Sequence, residues 1–158
     1  HLCDRRQRQM CIRDRDMYDA VTEEAKNSDI IIKAAAVADY TPLNVSDNKI
    51  KKKDGDMSIA LKRTKDIIGT LGEHKKEGQF ICGFSMETEN VIANSKDKLI
   101  KKNMDMIVAN NVKVAGAGFG TDTNVVTIIT GEDNIELPMM SKEDVASKIL
   151  DFIMAKRR

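Results

Sequence analysis

The sequence predicts an α/β fold: a mainly parallel sheet flanked by helices, with antiparallel hairpin additions. Three observations carry that expectation. Short apolar runs with the character of buried strands recur at 29–37, 79–87 and 105–110. Stretches with helical periodicity separate them. Two further stretches, 49–61 and 124–137, are broken by turns of glycine and acid and read as antiparallel pairs. Strands alternating with helices favour parallel pairing, because each crossover returns the chain to the same edge of the sheet.

In chain order, Met17, Ala20, Val21 and Ala25 recur at helical spacing, with Asp16 as a reasonable N-cap. The run IIIKAAAVADYTP follows, opening β-branched, narrowing to three alanines and leaving through Asp39. It reads as a buried strand running into a loop, and strand ends are where open α/β sheets bind ligands. Lysines at 49 and 51–53 precede an Asp54-Gly55-Asp56 turn and a short strand at 57–61, which together form a hairpin or flap. Thr64 can cap a helix through Asp66, Ile67, Ile68 and Leu71. The strand at 79–87 exits into Glu87. Thr88 then caps a helix to Lys102 whose inward stripe is Val91, Ile92, Ser95 and Leu99. After the strand at 105–110 comes a Gly116–Gly120 loop. A strand at 124–130 turns at 131–134 and returns at 135–137. Ser141 opens the last helix in a pattern like a capping box.

At 158 residues the chain fits one domain. Its 26 basic and 25 acidic residues leave a formal net charge of +1, so no global field favours nucleic acid or an anionic membrane. Four Phe, two Tyr and no Trp provide few platforms for stacking single-stranded bases. Three widely spaced cysteines, Cys3, Cys11 and Cys82, suit a reducing cytoplasm and argue against structural zinc. No apolar run reaches the roughly 18 residues of a membrane span. Residues 1–15 hold five of the eight arginines and no lysine, and their composition sets them apart as a leader, artefactual or disordered. The folded portion is expected at 16–158.

Candidate chemistry is uneven. Gly116–Gly120 precedes a strand pattern rather than a helix, which argues against a dinucleotide fingerprint. Lys98 and Lys102 lie four apart on one helix face, where they can grip a polyphosphate or simply solvate a surface. Cys82 alternates within a strand and reads as core. Asp39 and Glu87, at strand ends, fit either ligand contact or loop capping.

Several motifs occur together and in order: AAAVADYTP, KIKK at 49–52, DII at 66–68, GFSMET at 83–88, the Lys98/Lys102 pair and IVANN at 107–111. In this the chain from Met17 onward resembles bacterial phosphopantothenate–cysteine ligase. That enzyme is usually the C-terminal half of a bifunctional flavoprotein whose N-terminal half is an FMN-dependent phosphopantothenoylcysteine decarboxylase. The resemblance implies a Rossmann-like three-layer sandwich and a cytoplasmic, homodimeric enzyme of coenzyme A biosynthesis. Its substrates would be 4′-phosphopantothenate, L-cysteine and CTP, with Mg²⁺; FMN would belong only to the decarboxylase domain, absent here. By the same resemblance Lys49 is the catalytic lysine, and Ala35, Ala36, Asp39, Asp66, Ile67, Ile68, Phe84, Lys98 and Lys102 bind CTP. The metal ligands are left open.

Two departures stand out. Lys65 occupies the place where the family commonly has proline, and the family's upstream glycine-rich turn and asparagine-bearing segment have no counterpart. The expectation is therefore an N-terminally truncated fragment. A nucleotide-binding or dimerisation module without catalysis is the competing class, and a nucleic-acid binder using the Arg-rich leader is a third.

Overall fold

The computed structural model describes residues 11, 13–51, 55–87, 89–111 and 120–157. The main sheet has five strands, β1 (Ile30–Lys33), β4 (Phe80–Met86), β5 (Met106–Asn110), β7 (Val126–Ile129) and β8 (Asn134–Glu136), in that spatial order. β1, β4 and β5 run parallel, whereas β7 and β8 add antiparallel ladders at the far side. Two small antiparallel ladders stand apart: β2 (Tyr40–Pro42) with β3 (Leu61–Arg63), and β6 (Thr123–Asn124) with β9 (Met140–Ser141). The helices are α1 (Asp14–Glu24), α2 (Ile67–Glu73), α3 (Val91–Lys101) and α4 (Lys142–Lys156). No helix among the described residues is long and apolar enough to cross a membrane.

Alternation along the central strands sorts side chains into two cores. On one face Cys82, Met106, Val108, Val126 and Ile128 meet Val145, Ile149 and Ile153 of α4. On the other, Ile81 and Ile107 meet Ile67, Ile68 and Leu71 of α2, Leu99 of α3, and Met17, Tyr18 and Val21 of α1. The result is the expected three-layer α/β sandwich. β5 lies in the middle, so Met106, Ile107, Val108 and Ala109 are all buried, and a continuous apolar run suits a strand covered on both faces. Cys82 is fully buried, as its place in a strand predicts. Burial, and then the nearby Asp105 carboxylate, push its thiol up to about 12.

Several elements depart from expectation. β1 ends at Lys33, paired with Gly83, and residues 34–38 are not strand; 34–36 are exposed. Three methyl side chains supply too little apolar area to hold the chain on the sheet beyond that point, although β4 itself runs on to Met86. β1 is also an edge strand, with Ile32 39% exposed, rather than a buried one. The hairpin exists, but its ladder pairs Tyr40–Pro42 with Leu61–Arg63, and residues 49–51 and 55–60 are not strand. Thr64 anchors it there, its hydroxyl donating to the Ala38 carbonyl (2.7 Å) and its N–H to that of Asp39 (3.0 Å). Residues 52–54 lie outside the described set, and the lysines at 49 and 51 are solvated.

Caps shift as well. α1 begins at Asp14, and Asp16 accepts from the Arg13 N–H (3.2 Å) instead of standing first. Thr88 is outside the described residues, and α3 starts behind Asn90, which sits in the left-handed region at φ 47°. The 124–130 run is divided between two ladders: Asn124 pairs with Met140, and Val126 onward with β5. Of the Gly116–Gly120 loop, only Gly120 is described. Ser141 caps α4 as expected, accepting from the Asp144 N–H at 3.0 Å.

The cap of α2 is Asp66, not Thr64. Its carboxylate accepts from the Gly69 N–H at 3.1 Å and from the Lys102 ammonium at 2.9 Å. Burial alone would raise this carboxyl, but the hydrogen bonds from Lys102 and Gly69 and the fields of Lys102 and Lys33 bring it below its ordinary value. α2 and α3 meet without a spacer. A Cβ on Gly72 would lie 1.9 Å from the Lys102 carbonyl oxygen, and Asn103 donates its side-chain N–H to the Gly72 carbonyl at 2.9 Å.

Two outcomes follow from this packing. Asp66→Ala loses the cap and lowers stability in urea melts by about 1 kcal/mol, while Asp66→Asn, still a good cap, loses less. Because the Asp66 carboxyl is depressed, its contribution is present above the unfolded value near about 4 and disappears as pH falls through the folded value. Asp66→Asn therefore flattens the acid limb of the stability profile. Separately, a thiol reagent at pH 8 leaves Cys82 unlabelled by peptide mass spectrometry until denaturant is added; labelling of the native chain contradicts the burial.

Candidate functional site

β1 and β4 deliver their carboxyl ends to one cleft of about 710 Å³. Its size falls within the roughly 300–1,000 Å³ of small-molecule sites, and strand carboxyl ends are where open α/β sheets bind ligands. Lys33 closes β1, and Gly83, Phe84 and Ser85 form the exit of β4. Asp39 and Tyr40 come from the start of the hairpin, and Arg63, Thr64, Lys65 and Asp66 from its return into α2. Lys98, Lys101 and Lys102 come from the end of α3.

Packing explains why these segments converge. A Cβ on Gly83 would lie 2.8 Å from the Ile68 Cδ1 and the Met104 Sδ, so side chains from α2 and from the segment after α3 pack directly on this strand's backbone. Ser85 and Ser95 share a buried 2.9 Å hydrogen bond that fixes α3 against β4. Lys98 forms an ion pair with Glu87, the residue just past β4, and Lys102 with Asp66. The Lys65 ammonium lies 4.2 Å from the Tyr18 ring centroid, tying the return segment to α1.

Charge in the cleft is one-sided. Lys33, Arg63, Lys65, Lys98, Lys101 and Lys102 line it against two acids, Asp39 and Asp66. In a chain of net charge +1 this is a local excess, and a low-dielectric concave wall focuses such a field. The arrangement can hold a multiply charged anion. Among the described residues no group of three or more His, Cys, Asp or Glu could hold a metal ion. A divalent cation would therefore need oxygens of the anion itself plus a single carboxylate such as Asp39, as is usual for magnesium with phosphates.

Of the residues the resemblance singles out, Asp39, Asp66, Ile67, Ile68, Phe84, Lys98 and Lys102 all line this cleft. The Ile67 and Ile68 side chains are 3% and 9% exposed, so a ligand would meet that corner mainly through backbone. Ala35 and Ala36 lie on the exposed 34–38 segment beside the cleft rather than among its lining, and the Ala35 carbonyl accepts from Lys33. Lys49 is exposed in the connection between β2 and β3, outside the lining. The sequence does not by itself assign Lys33, Arg63, Lys65 or Lys101 to the site. For Lys33 a signal existed: a lone lysine interrupting an apolar run, IIIKAAA, needs a polar destination for its ammonium.

Comparison with known proteins supplies the context for this geometry. The chain is 53% identical over 141 residues to the coenzyme A biosynthesis bifunctional protein CoaBC of Bacillus subtilis (strain 168), covering 89% of this chain and 34% of that protein. The crystal structure of the C-terminal domain of a coenzyme A biosynthesis bifunctional protein CoaBC superposes with a TM-score of 0.70 at 43% identity, covering 90% of this chain and 63% of that one. A Cab2 H337A mutant in complex with phosphopantothenate-cysteine shares the fold, with a TM-score of 0.70 at 18% identity over 91% of this chain and 50% of that one. The chain thus spans about a third of the length of its Bacillus relative. Residues 7–156 match the DNA/pantothenate metabolism flavoprotein C-terminal domain, and the chain belongs to that family.

Proposed function

We propose that this domain serves the CTP-dependent ligation of 4′-phosphopantothenate to L-cysteine in coenzyme A biosynthesis, within a cytoplasmic homodimer. The observation that carries the reading is the cleft itself. Asp39, Asp66, Phe84, Lys98 and Lys102 come from four separate stretches of sequence and meet around one cationic space of nucleotide size. The names of the relatives, bifunctional proteins of coenzyme A biosynthesis, agree with it.

Chemically, the carboxylate of 4′-phosphopantothenate attacks the α-phosphorus of CTP, and pyrophosphate leaves. The cysteine amine then attacks the acyl carbon of the resulting acyl-cytidylate, and CMP leaves. Negative charge grows on the departing pyrophosphate, and cations already positioned where it forms lower the barrier. Lys98 and Lys102 suit that role because Glu87 and Asp66 hold their ammoniums in place before substrate arrives. Their acids also moderate repulsion among the cations of the cleft. Mg²⁺ would travel with the triphosphate and add further charge neutralisation there. Lys49, carried on the exposed connection of the hairpin, would reach the reacting phosphate only when that connection folds over the cleft.

A second reading, a nucleotide-binding or dimerisation module without catalysis, is favoured by the position of Lys49 outside the lining. Calorimetry and a pyrophosphate assay separate the two: CTP binding with no pyrophosphate release on adding 4′-phosphopantothenate selects the module. In a full-length enzyme carrying this domain, Lys49→Ala lowers CTP-dependent cysteine coupling by at least about a hundredfold, the scale of losing one charge-stabilising donor at the transition state; near-normal turnover removes Lys49 from that role. Replacing Lys98 and Lys102 together by Ala weakens CTP binding about tenfold more than CMP binding. Equal losses for both nucleotides count against contacts to the β- and γ-phosphates.

A further inference from the structure

Among the cations of the cleft, Lys33 is one that has no role in the reading above. Lys33 is the last residue of β1, where it ends the run Ile30–Ile32 and precedes three alanines. Its ammonium donates to the Ala35 carbonyl at 2.9 Å and faces the same cleft as Lys102. The nearest carboxylates do not neutralise it by contact. Asp66 is already engaged by the Gly69 N–H and by Lys102, and neither Asp66 nor Asp39 forms an ion pair with Lys33. Burial, and then the positive field of Lys102, hold the Lys33 amine below the ordinary lysine value, offset only in part by Asp66 and Asp39. A half-buried ammonium beside another cation, satisfied by one carbonyl, gains most from an anion that bridges the two.

We infer that Lys33 is a phosphate-binding residue of the cleft, gripping with Lys102 the phosphate chain of a nucleoside triphosphate from the β1 side. A lysine suits the place better than an arginine would, since a compact charge on a flexible stem moves from carbonyl to phosphate by side-chain rotation alone. The neighbouring residues allow it room: 34–36 carry only methyl groups and are exposed. The nucleoside part of the inference rests on the proposed function; the anion part rests on the cleft alone.

The test is calorimetric, on the whole 158-residue chain, with inorganic tripolyphosphate and with CTP at matched ionic strength. Lys33→Met and Lys33→Gln each weaken tripolyphosphate binding about tenfold, the effect of losing one charge-assisted hydrogen bond. Lys33→Arg stays within about threefold of the parent, and Lys148→Met, on the exposed side of α4, changes nothing beyond about twofold by removing the same charge elsewhere. Lys33→Gln is the decisive variant, because its amide can still donate to the Ala35 carbonyl. If it keeps the parent affinity, Lys33 is only a pin for the backbone and the inference is overturned. Thermal melts accompany each titration, and Lys33→Gln and Lys33→Arg carry the test if Lys33→Met does not fold. Lys33-dependent binding of tripolyphosphate with no tighter binding of CTP upholds the anion site and removes the nucleotide reading. Failure of the parent chain to bind either anion overturns both.

Discussion

Residue 72 has no room for a side chain, and much of the site depends on that. With glycine there, the carbonyl of Lys102 rests against α2, and Asn103, itself at φ 48°, returns a hydrogen bond to the Gly72 carbonyl. The end of α3 is thereby fixed along α2. From that position the Lys102 side chain reaches back to Asp66, which at the same time caps α2. One close backbone approach thus sets the distance between a helix cap and a cation, and the two together form a wall of the cleft. A methyl group at 72 would separate the helices and withdraw the Lys102 ammonium from Asp66, so stability and site geometry would be lost together.

The same economy appears in the electrostatics. A chain with 26 basic and 25 acidic residues has no charge to spare globally, yet the cleft gathers six cations against two acids. Like charges so close repel, and the structure moderates this locally. Glu87 meets Lys98, Asp66 meets Lys102, and the Tyr18 ring meets Lys65. Exposed pairs of this kind add little to stability. Their consequence is positional: each ammonium is held in a defined place, so an arriving anion finds donors already ordered rather than long side chains that must be immobilised on binding.

How much of this could be read from the sequence depends on the range of the interaction. β4, β5 and α4 were legible, since unbroken apolar runs and a Ser-x-x-Asp cap are local signals with one good physical solution. Cys82 was legible for the same reason. The 34–38 segment was not. Three alanines continue a strand as readily as they leave one, and only the end of the β1 ladder at Gly83, a partner far along the chain, decides the matter. Cap choice failed similarly, because Thr64 and Asp66 are both competent caps. Thr64 is drawn away by the Ala38 carbonyl 26 residues earlier, a partner that spacing along the chain does not reveal.

The cleft lies between these extremes. Asp39, Asp66, Phe84, Lys98 and Lys102 were identified together through ordered motifs, whereas helical spacing alone favoured a solvated face for Lys98 and Lys102. What separates those alternatives is an acid on another element facing each lysine: a merely solvated lysine needs no such partner, and these two have Glu87, just past β4, and Asp66, the cap of α2. Lys33 shows the converse. Its signal, a charge inside an apolar run, was visible in the sequence, but its meaning depended on learning that Asp66 is occupied by Lys102. A carboxylate counted as available in sequence is committed in three dimensions, and Lys33, which it leaves with a carbonyl and no ion pair, has the chemistry to take an anion from outside.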